Sequence, residues 1–247
     1  IISQTGNHAY HVDLAAATKA GIVVAMAPGS NSTAELTFGL MLAVMRRIPQ
    51  SDQAMRRGEW PLVLGYVLLG KTLGILGLGK IGTEVAQIGR AFGMKIIAWG
   101  PTLTSERASR SQAVYTPLDD LQKQADVVSV HLALSDQSKN LLNDVRLRLM
   151  KKSGYLINAA RGAIIVGSAL VKILQERMIA GAALDVFVEE PLAANHPLLQ
   201  LDNVVLTPHL GWPTDSGFAG FAENAVTNIL DYLDGKLTRV VNPEAPR

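Results

Sequence analysis

The sequence lacks the residues that several classes of protein require. It contains no cysteine, which excludes disulfides, thiolate nucleophiles and cysteine-ligated zinc or iron–sulfur sites. Aromatic residues make up 5% of the chain and the formal net charge is +2, so nucleic acid is not expected as a partner. Lys71 interrupts the longest apolar stretch, 61–79, and no membrane-spanning segment is predicted.

The composition that remains is typical of a folded α/β protein. Of the 247 residues, 48% are hydrophobic and 18% are charged, which is enough for one large domain or two modest ones. The absence of cysteine suits a reducing compartment, and a soluble, cytoplasmic protein is expected. The chain opens at Ile1 as though within a strand, so we expect an upstream segment to be missing.

Apolar runs alternate with helical patterns from residue 71 onward. The predicted strands are 71–76, 95–99, 126–132, 154–160, 181–186 and 203–209, and the predicted helices are 80–92, 117–124, 143–150, 168–178 and 214–234. Strands that are apolar throughout and separated by helices predict a parallel sheet covered on both faces. The expected fold class is therefore α/β, with a doubly wound parallel sheet.

A glycine motif lies between the first of these strands and its helix. Gly77, Gly79 and Gly82 form G-x-G-x-x-G in the run Gly77-Leu78-Gly79-Lys80-Ile81-Gly82. In this context the glycines allow a tight turn, the approach of a pyrophosphate to the backbone, and close packing of helix on strand. The positive end of the helix would then face the phosphates. The sequence predicts a dinucleotide site in a Rossmann domain.

The acid that usually selects NAD is absent. In such sites an Asp or Glu about 20 residues after the glycines accepts hydrogen bonds from the ribose 2′-hydroxyl and repels a 2′-phosphate. Here the second strand ends Trp99-Gly100-Pro101, and the next acid is Glu106. Thr102, Thr104, Ser105 and Arg107 follow, so these residues permit NADP as well as NAD and do not choose between them.

The first fifty residues predict part of another lobe. Strand 1–6, helix 12–21 and strand 22–28 form one βαβ unit, which buries too little surface to stand alone. The segment 31–49 predicts a buried helix that is capped by Asn31 or Ser32 and stopped by Pro49. This helix is expected to lie between domains, against a second subunit, or in an ordinary core. We predict a partial second domain with an interdomain helix over 1–50, the dinucleotide-binding domain over 51–212, and a helix and tail over 213–247 that return to the first lobe.

Three polar residues follow strands where doubly wound sheets build their sites. Arg161 follows 154–160, Glu190 follows 181–186, and His209 closes 203–209. An arginine binds a carboxylate through two parallel hydrogen bonds, and a histidine exchanges a proton with a carbonyl or hydroxyl oxygen. A glutamate on the far ring nitrogen fixes the tautomer. Together these residues suit hydride transfer to a 2-keto acid, whereas each alone is more often structural.

The motifs together resemble one enzyme family. The runs GKTLGILGLGKIG, NAARG (158–162), GAALDVFVEEPL (181–192) and LTPHLG (206–211), in this order, resemble the D-isomer-specific 2-hydroxyacid dehydrogenases over essentially the whole chain. The resemblance implies a flavodoxin-like substrate domain beside the Rossmann domain, a small 2-keto acid substrate of the glyoxylate or hydroxypyruvate type, and a homodimer. No metal is expected.

The resemblance also implies a role for individual residues. Arg161 is expected to bind the substrate carboxylate, with His209 as acid/base and Glu190 as its partner, while Asn7 and His8 belong to a turn that meets the carboxylate. The residues expected to line the cofactor, beyond Gly77, Gly79, Gly82 and Gly100, are Lys80, Ile81, Ala159, Ala160, Arg161, Asp185, His209, Gly211 and Trp212.

The chain departs from the family pattern at several positions. Gly100 replaces the usual acid, and Val166-Gly167 replaces an N-cap acid, which leaves Ser168 to cap the following helix. The alternative function is a non-enzymatic NAD(H)-binding sensor resembling the C-terminal-binding corepressors. Formate dehydrogenase pairs its histidine with glutamine, so Glu190 argues against that activity, and phosphite oxidation is a weaker option.

Overall fold

A computed structural model describes residues 1–6, 9, 11–29 and 32–245. The chain forms two compact units, one of residues 1–32 and 212–247 and one of residues 33–211. The strands are β1 Ile2–Thr5, β2 Val24–Ala27, β3 Thr72–Leu76, β4 Lys95–Trp99, β5 Val114–Tyr115, β6 Val127–Val130, β7 Tyr155–Asn158, β8 Gly181–Leu184 and β9 Val204–Leu206.

The described helices connect these strands. They are α1 Leu14–Lys19, α2 Thr33–Met45, α3 Ile48–Arg56, α4 Lys80–Ala91, α5 Ser105–Arg110, α6 Leu118–Gln124, α7 Asp144–Leu147, α8 Gly167–Gln175 and α9 Asp215–Leu233, with 3₁₀ turns at Gly162–Ile164 and Pro197–Gln200. None of the helices within the described ranges is long and apolar enough to cross a membrane.

The larger unit contains a parallel sheet in the order β5-β4-β3-β6-β7-β8-β9. Every residue of β6, β7 and β8 is buried, because helices cover both faces of the sheet. One face packs on side chains of α6, α7 and α8, and the other packs on α2 and α4. The strand order reverses at β3, whose neighbours are β4 and β6, so a ligand crevice is expected beyond its carboxyl end. The predicted doubly wound fold is confirmed.

The helix predicted over 31–49 ends earlier than expected. Helix α2 stops at Met45, Arg47 adopts a left-handed backbone with φ of 53°, and a second helix, α3, begins at Ile48. Pro49 lies in the first turn of α3, where its missing N–H breaks no helical hydrogen bond. The interpretation of Pro49 as a helix stop is therefore wrong. Met41 on α2 is fully buried in the larger unit, against the sheet.

The smaller unit brings the two ends of the chain together. Strands β1 and β2 are parallel, and α9 packs on both of them. Asn228 on α9 donates to Ser3 Oγ at 3.0 Å and to the carbonyl of Met26 at 2.9 Å. The side chain of Asn242 accepts from Val24 N at 2.8 Å. The sequence-based boundaries placed 33–50 with this lobe and residue 212 with the sheet, whereas the compact units divide at 32/33 and 211/212.

Candidate functional site

The glycine motif forms a tight connection between β3 and α4. Gly77 has φ of +100°, and a Cβ there would lie 2.6 Å from the carbonyl oxygen of His131. A Cβ on Gly82 would lie 2.0 Å from the carbonyl oxygen of Gly77. Only glycine fits at either position, because both contacts are with backbone atoms.

The N-terminus of α4 is open above this connection. Gly79 is the N-cap residue and supplies no side-chain hydrogen bond. A Cβ added to it would meet no atom of the described residues within 4 Å. Lys80, which is exposed, and the half-buried Ile81 begin the helix. The first backbone N–H groups of a helix carry partial positive charge and bind phosphate. The open backbone and the uncapped helix start therefore fit the pyrophosphate of a dinucleotide.

Gly100 follows β4, next to β3 in the sheet. Its backbone is buried, and a Cβ there would meet Leu103 Cβ at 3.5 Å and Gly77 Cα at 4.0 Å, which are ordinary contacts. A side chain could therefore be accommodated without strain, and the glycine is not required by packing.

The backbone around Arg161 is shaped by a buried asparagine. Asn158, at the end of β7, accepts from Ala160 N at 3.1 Å and donates to the carbonyl of Arg161 at 3.1 Å. The Arg161 guanidinium donates to the carbonyl of Ala160 at 2.7 Å. No carboxylate in the described part of the chain forms an ion pair with Arg161. Most of its hydrogen-bond donors are therefore left for a ligand.

Glu190 and His209 form a hydrogen-bonded pair. Glu190 Oε2 lies 2.7 Å from His209 Nδ1, and Glu190 Oε1 accepts from Phe187 N at 2.9 Å. The imidazole is 40% exposed. An ionised glutamate can only accept, so Nδ1 carries a proton and Nε2 is the atom that can exchange one.

Asp185 organises the segment that carries His209. This fully buried carboxylate accepts from Thr207 Oγ1 at 2.6 Å, Leu210 N at 2.7 Å and Gly211 N at 2.9 Å. Sequence reasoning missed Thr207, although a threonine directly before Pro208-His209 is a visible feature of the motif. The carbonyl of Gly211 in turn accepts from Thr33 Oγ1 at 3.0 Å.

Neighbouring strands bring the catalytic candidates to one edge of the sheet. Arg161, Glu190 and His209 follow β7, β8 and β9, which are adjacent and parallel. The segment after Arg161 also touches the segment before Glu190, because a Cβ on Gly162 would lie 2.0 Å from the backbone of Phe187.

The sequence also singled out Trp212, Asn7, His8 and Ser168. Trp212 belongs to the smaller unit, where its ring centroid lies 5.5 Å from that of Phe218. Asn7 and His8 lie outside the described residues. Ser168 is not a cap: α8 begins after Val166, which forms no side-chain hydrogen bond with the helix. Within the described ranges no cluster of three His, Asp or Glu side chains could hold a metal.

His131 is the histidine that follows β6, beside the glycine connection. Its Nε2 lies 2.7 Å from Ser129 Oγ, while Nδ1 is buried with no hydrogen-bond partner in the described part of the chain. Burial lowers the pKa of this imidazole to about 4, so it is neutral at physiological pH.

Residues 38–211 match the family described as "D-isomer specific 2-hydroxyacid dehydrogenase, NAD binding domain". The glyoxylate reductase of Aeropyrum pernix is 43% identical over 256 residues, covering 99% of this chain and 76% of the relative. The D-3-phosphoglycerate dehydrogenase of Methanocaldococcus jannaschii is 41% identical over 254 residues, covering 100% of this chain and 48% of the relative.

Two solved structures with bound ligands are also similar. D-lactate dehydrogenase from Aquifex aeolicus, complexed with NAD and lactic acid, has a TM-score of 0.83 and 30% identity, with 97% of this chain and 80% of that chain covered. An acyclic imino acid reductase in complex with NADPH and D-Arg has a TM-score of 0.82 and 30% identity, and the match covers 96% of this chain and 78% of that chain.

Proposed function

Because the chain belongs to the D-isomer-specific 2-hydroxyacid dehydrogenase family, we propose that it reduces a 2-keto acid to a D-2-hydroxy acid with a nicotinamide cofactor. The observation that carries this proposal is the 2.7 Å contact between Glu190 and His209, at the sheet edge that also holds Arg161. Glyoxylate or hydroxypyruvate is the proposed type of substrate, since a glyoxylate reductase is 43% identical.

His209 is the proposed acid/base. Its Nδ1 is bonded to Glu190, so Nε2 donates a proton to the substrate oxygen during reduction and takes it back during oxidation. Glu190 holds the ring in this tautomer. Its second oxygen is fixed by Phe187 N, so the carboxylate cannot turn away without losing a backbone hydrogen bond.

Arg161 is proposed to bind the substrate carboxylate. Among the residues that the structure describes, the guanidinium has one partner, the carbonyl of Ala160. Its remaining donors suit two parallel bonds to a carboxylate. Asn7 and His8 are proposed to contribute to the same recognition.

A nicotinamide dinucleotide is proposed to lie along the glycine connection and the carboxyl ends of the strands. When bound, it supplies the hydride that is transferred to the keto carbon. The residues proposed to hold it are Gly77, Gly79, Lys80, Ile81, Gly82, Gly100, Ala159, Ala160, Arg161, Asp185, His209, Gly211 and Trp212. Both NAD and NADP are compatible with Gly100, which presents no charge to a 2′-phosphate.

A panel of 2-keto acids tests this function. Full-length protein mixed with NADH or NADPH and glyoxylate, hydroxypyruvate or pyruvate should show loss of absorbance from the reduced cofactor. Arg161→Lys should raise KM for the keto acid roughly tenfold or more, because lysine keeps the charge but lacks the two-pronged geometry. Arg56→Lys, at an exposed ion pair on α3, is the control and should leave KM unchanged. The absence of turnover with every acid would contradict the proposal.

A homodimer is proposed from an exposed apolar segment in the larger unit. Trp60, Leu62 and Leu64 are 86%, 102% and 84% exposed, and they lie between α3 and β3 in a stretch without helix or strand. Exposed apolar side chains so close together are characteristic of a protein interface. A second copy of the chain is the proposed occupant.

Light scattering after size exclusion tests the dimer. The wild type should have twice the mass of one chain, and Leu62→Lys with Leu64→Lys should shift it to the monomer. Val114→Lys changes a valine that is 65% exposed on the edge strand β5, and this control should remain dimeric. A monomeric wild type would contradict the proposal.

A further inference from the structure

We propose that Thr207 is a positioning residue for His209 and acts through the buried carboxylate of Asp185. The inference rests on the proposed function in that it takes His209 as the acid/base. Neither the family match nor the related proteins assign a role to Thr207.

The sheet register places Thr207 beside Asp185. Leu184 on β8 is paired with Leu206 on β9, so the next residue of each chain segment emerges at the same level beyond the sheet. Thr207 N donates to the carbonyl of Leu184 at 3.0 Å, which extends the pairing by one residue. The Thr207 hydroxyl then reaches Asp185 Oδ1 at 2.6 Å.

Asp185 links Thr207 to both sides of His209. Its carbonyl accepts from His209 N at 3.0 Å, and its carboxylate accepts from Leu210 N and Gly211 N. A fully buried carboxylate is stable only when donors surround it, and Thr207 provides the one side-chain donor among the contacts described.

His209 needs this support because its backbone is strained. Its φ is +57°, a left-handed conformation that residues other than glycine rarely adopt unless the surrounding structure enforces it. His209 N also contacts the carbonyl of Thr207 at 3.1 Å, across Pro208, whose ring restricts the backbone between them. This conformation is the one in which the imidazole meets Glu190. Thr207 therefore holds the acid/base in position through hydrogen bonds to Asp185, without contacting the substrate itself.

The test compares Thr207→Val, which replaces the hydroxyl with a methyl group, with Thr207→Ser, which keeps the hydroxyl. Thr207→Val should lower kcat for the 2-keto acid roughly tenfold to a hundredfold, since small displacements of a catalytic group have effects of this size. KM for the acid and the affinity for NADH should change little, and Thr207→Ser should restore kcat. Thr116→Val, at another buried threonine that follows edge strand β5, is the matched control and should match the wild type.

A second readout does not depend on turnover. Two-bond ¹H–¹⁵N spectra at alkaline pH report which ring nitrogen of a neutral histidine carries the proton, and His209→Asn identifies the signals of His209. The wild type should show the proton on Nδ1, and Thr207→Val should shift the signals toward those of an unrestrained imidazole. If Thr207→Val does not fold by circular dichroism, Thr207→Ala removes the same hydroxyl from a smaller side chain.

The outcomes separate the two proposals. An unchanged tautomer and kcat in Thr207→Val, an equal loss in Thr116→Val, or a failure of Thr207→Ser to restore kcat would overturn the positioning role. If the wild type reduces no 2-keto acid, the proposed function fails, and the tautomer comparison alone decides whether Thr207 positions His209.

Discussion

Gly100 is the residue proposed to face the ribose 2′ position, where an acidic side chain would decide between the two coenzymes. The position follows β4, and nothing in its surroundings requires glycine, because a Cβ would have its nearest neighbour at 3.5 Å. An added carboxylate would bring a negative charge to the place where a 2′-phosphate is expected. We therefore propose that charge at position 100 governs the coenzyme preference.

Gly100→Asp should move the coenzyme preference toward NAD. We expect the ratio of kcat/KM with NADPH to that with NADH to fall roughly tenfold or more, because a repulsion of about 1.4 kcal/mol already gives that factor. Gly100→Asn has nearly the same shape without the charge and should produce a much smaller change. A ratio that stays constant in Gly100→Asp would show that position 100 does not face the ribose.

The glycine connection and α4 act as one element, in which each glycine has a separate role. Gly82 lets the helix pack against the backbone of Gly77, whereas Gly79 borders open space at the helix N-terminus. One position therefore serves the fold, and the other leaves room for a ligand.

Alanine at these two glycines should have different effects. Gly82→Ala places a Cβ 2.0 Å from a backbone oxygen, so we expect the free energy of unfolding to fall by roughly 1–3 kcal/mol. Gly79→Ala should leave unfolding almost unchanged and weaken NADH binding, because the methyl group occupies the space proposed for the pyrophosphate. Denaturant unfolding and fluorescence titration with NADH measure the two effects. Equal effects of both variants on stability would contradict this division.

Elements with strong patterns could be predicted from the sequence, and weak ones could not. The continuous apolar runs correctly predicted β6, β7 and β8, because every residue of these strands is buried. Helix α5 and strand β5 were missed, since they have six and two residues and Val114 on β5 is exposed. The prediction that Pro49 stops a helix was wrong, because proline fits the first turn of a helix as well as the position after its end.

The candidate site was predictable in part. Arg161, Glu190 and His209 could be chosen because each follows a strand of a parallel sheet, and such strands end at a common edge. The contact between Thr207 and Asp185 could not be predicted from the sequence. It joins residues 22 positions apart and depends on the pairing of Leu184 with Leu206. The N-cap at Val166 was also unpredictable, since a valine offers no capping signal.

The stability of the larger unit should depend on the protonation of His131. Burial lowers the pKa of His131 from 6.5 to about 4, so the unfolded chain binds the proton more readily than the folded one between these values. The stability that the folded state gains by keeping His131 neutral is fully present above pH 6.5, and it is lost as the pH falls toward 4. The expected loss across that window is about 3 kcal/mol.

Guanidinium unfolding at about pH 7 and about pH 5 measures this dependence. His131→Gln removes the titrating ring and should reduce the difference between the two free energies of unfolding. His11→Gln changes a histidine of the smaller unit and serves as the control. A pH dependence that is identical in His131→Gln and the wild type would contradict the assignment.

We propose that His209, held by Glu190, transfers the proton during reduction of a 2-keto acid. The most direct measurement is kcat of His209→Ala with saturating NADH and glyoxylate, taken together with the dissociation constant of NADH. We expect kcat to fall by about 10² to 10⁴ while NADH binds almost as it does to the wild type, because general acid catalysis is lost and the other residues proposed to hold the cofactor remain. A variant that keeps the wild-type kcat, or that loses NADH binding in proportion to kcat, would contradict this role of His209.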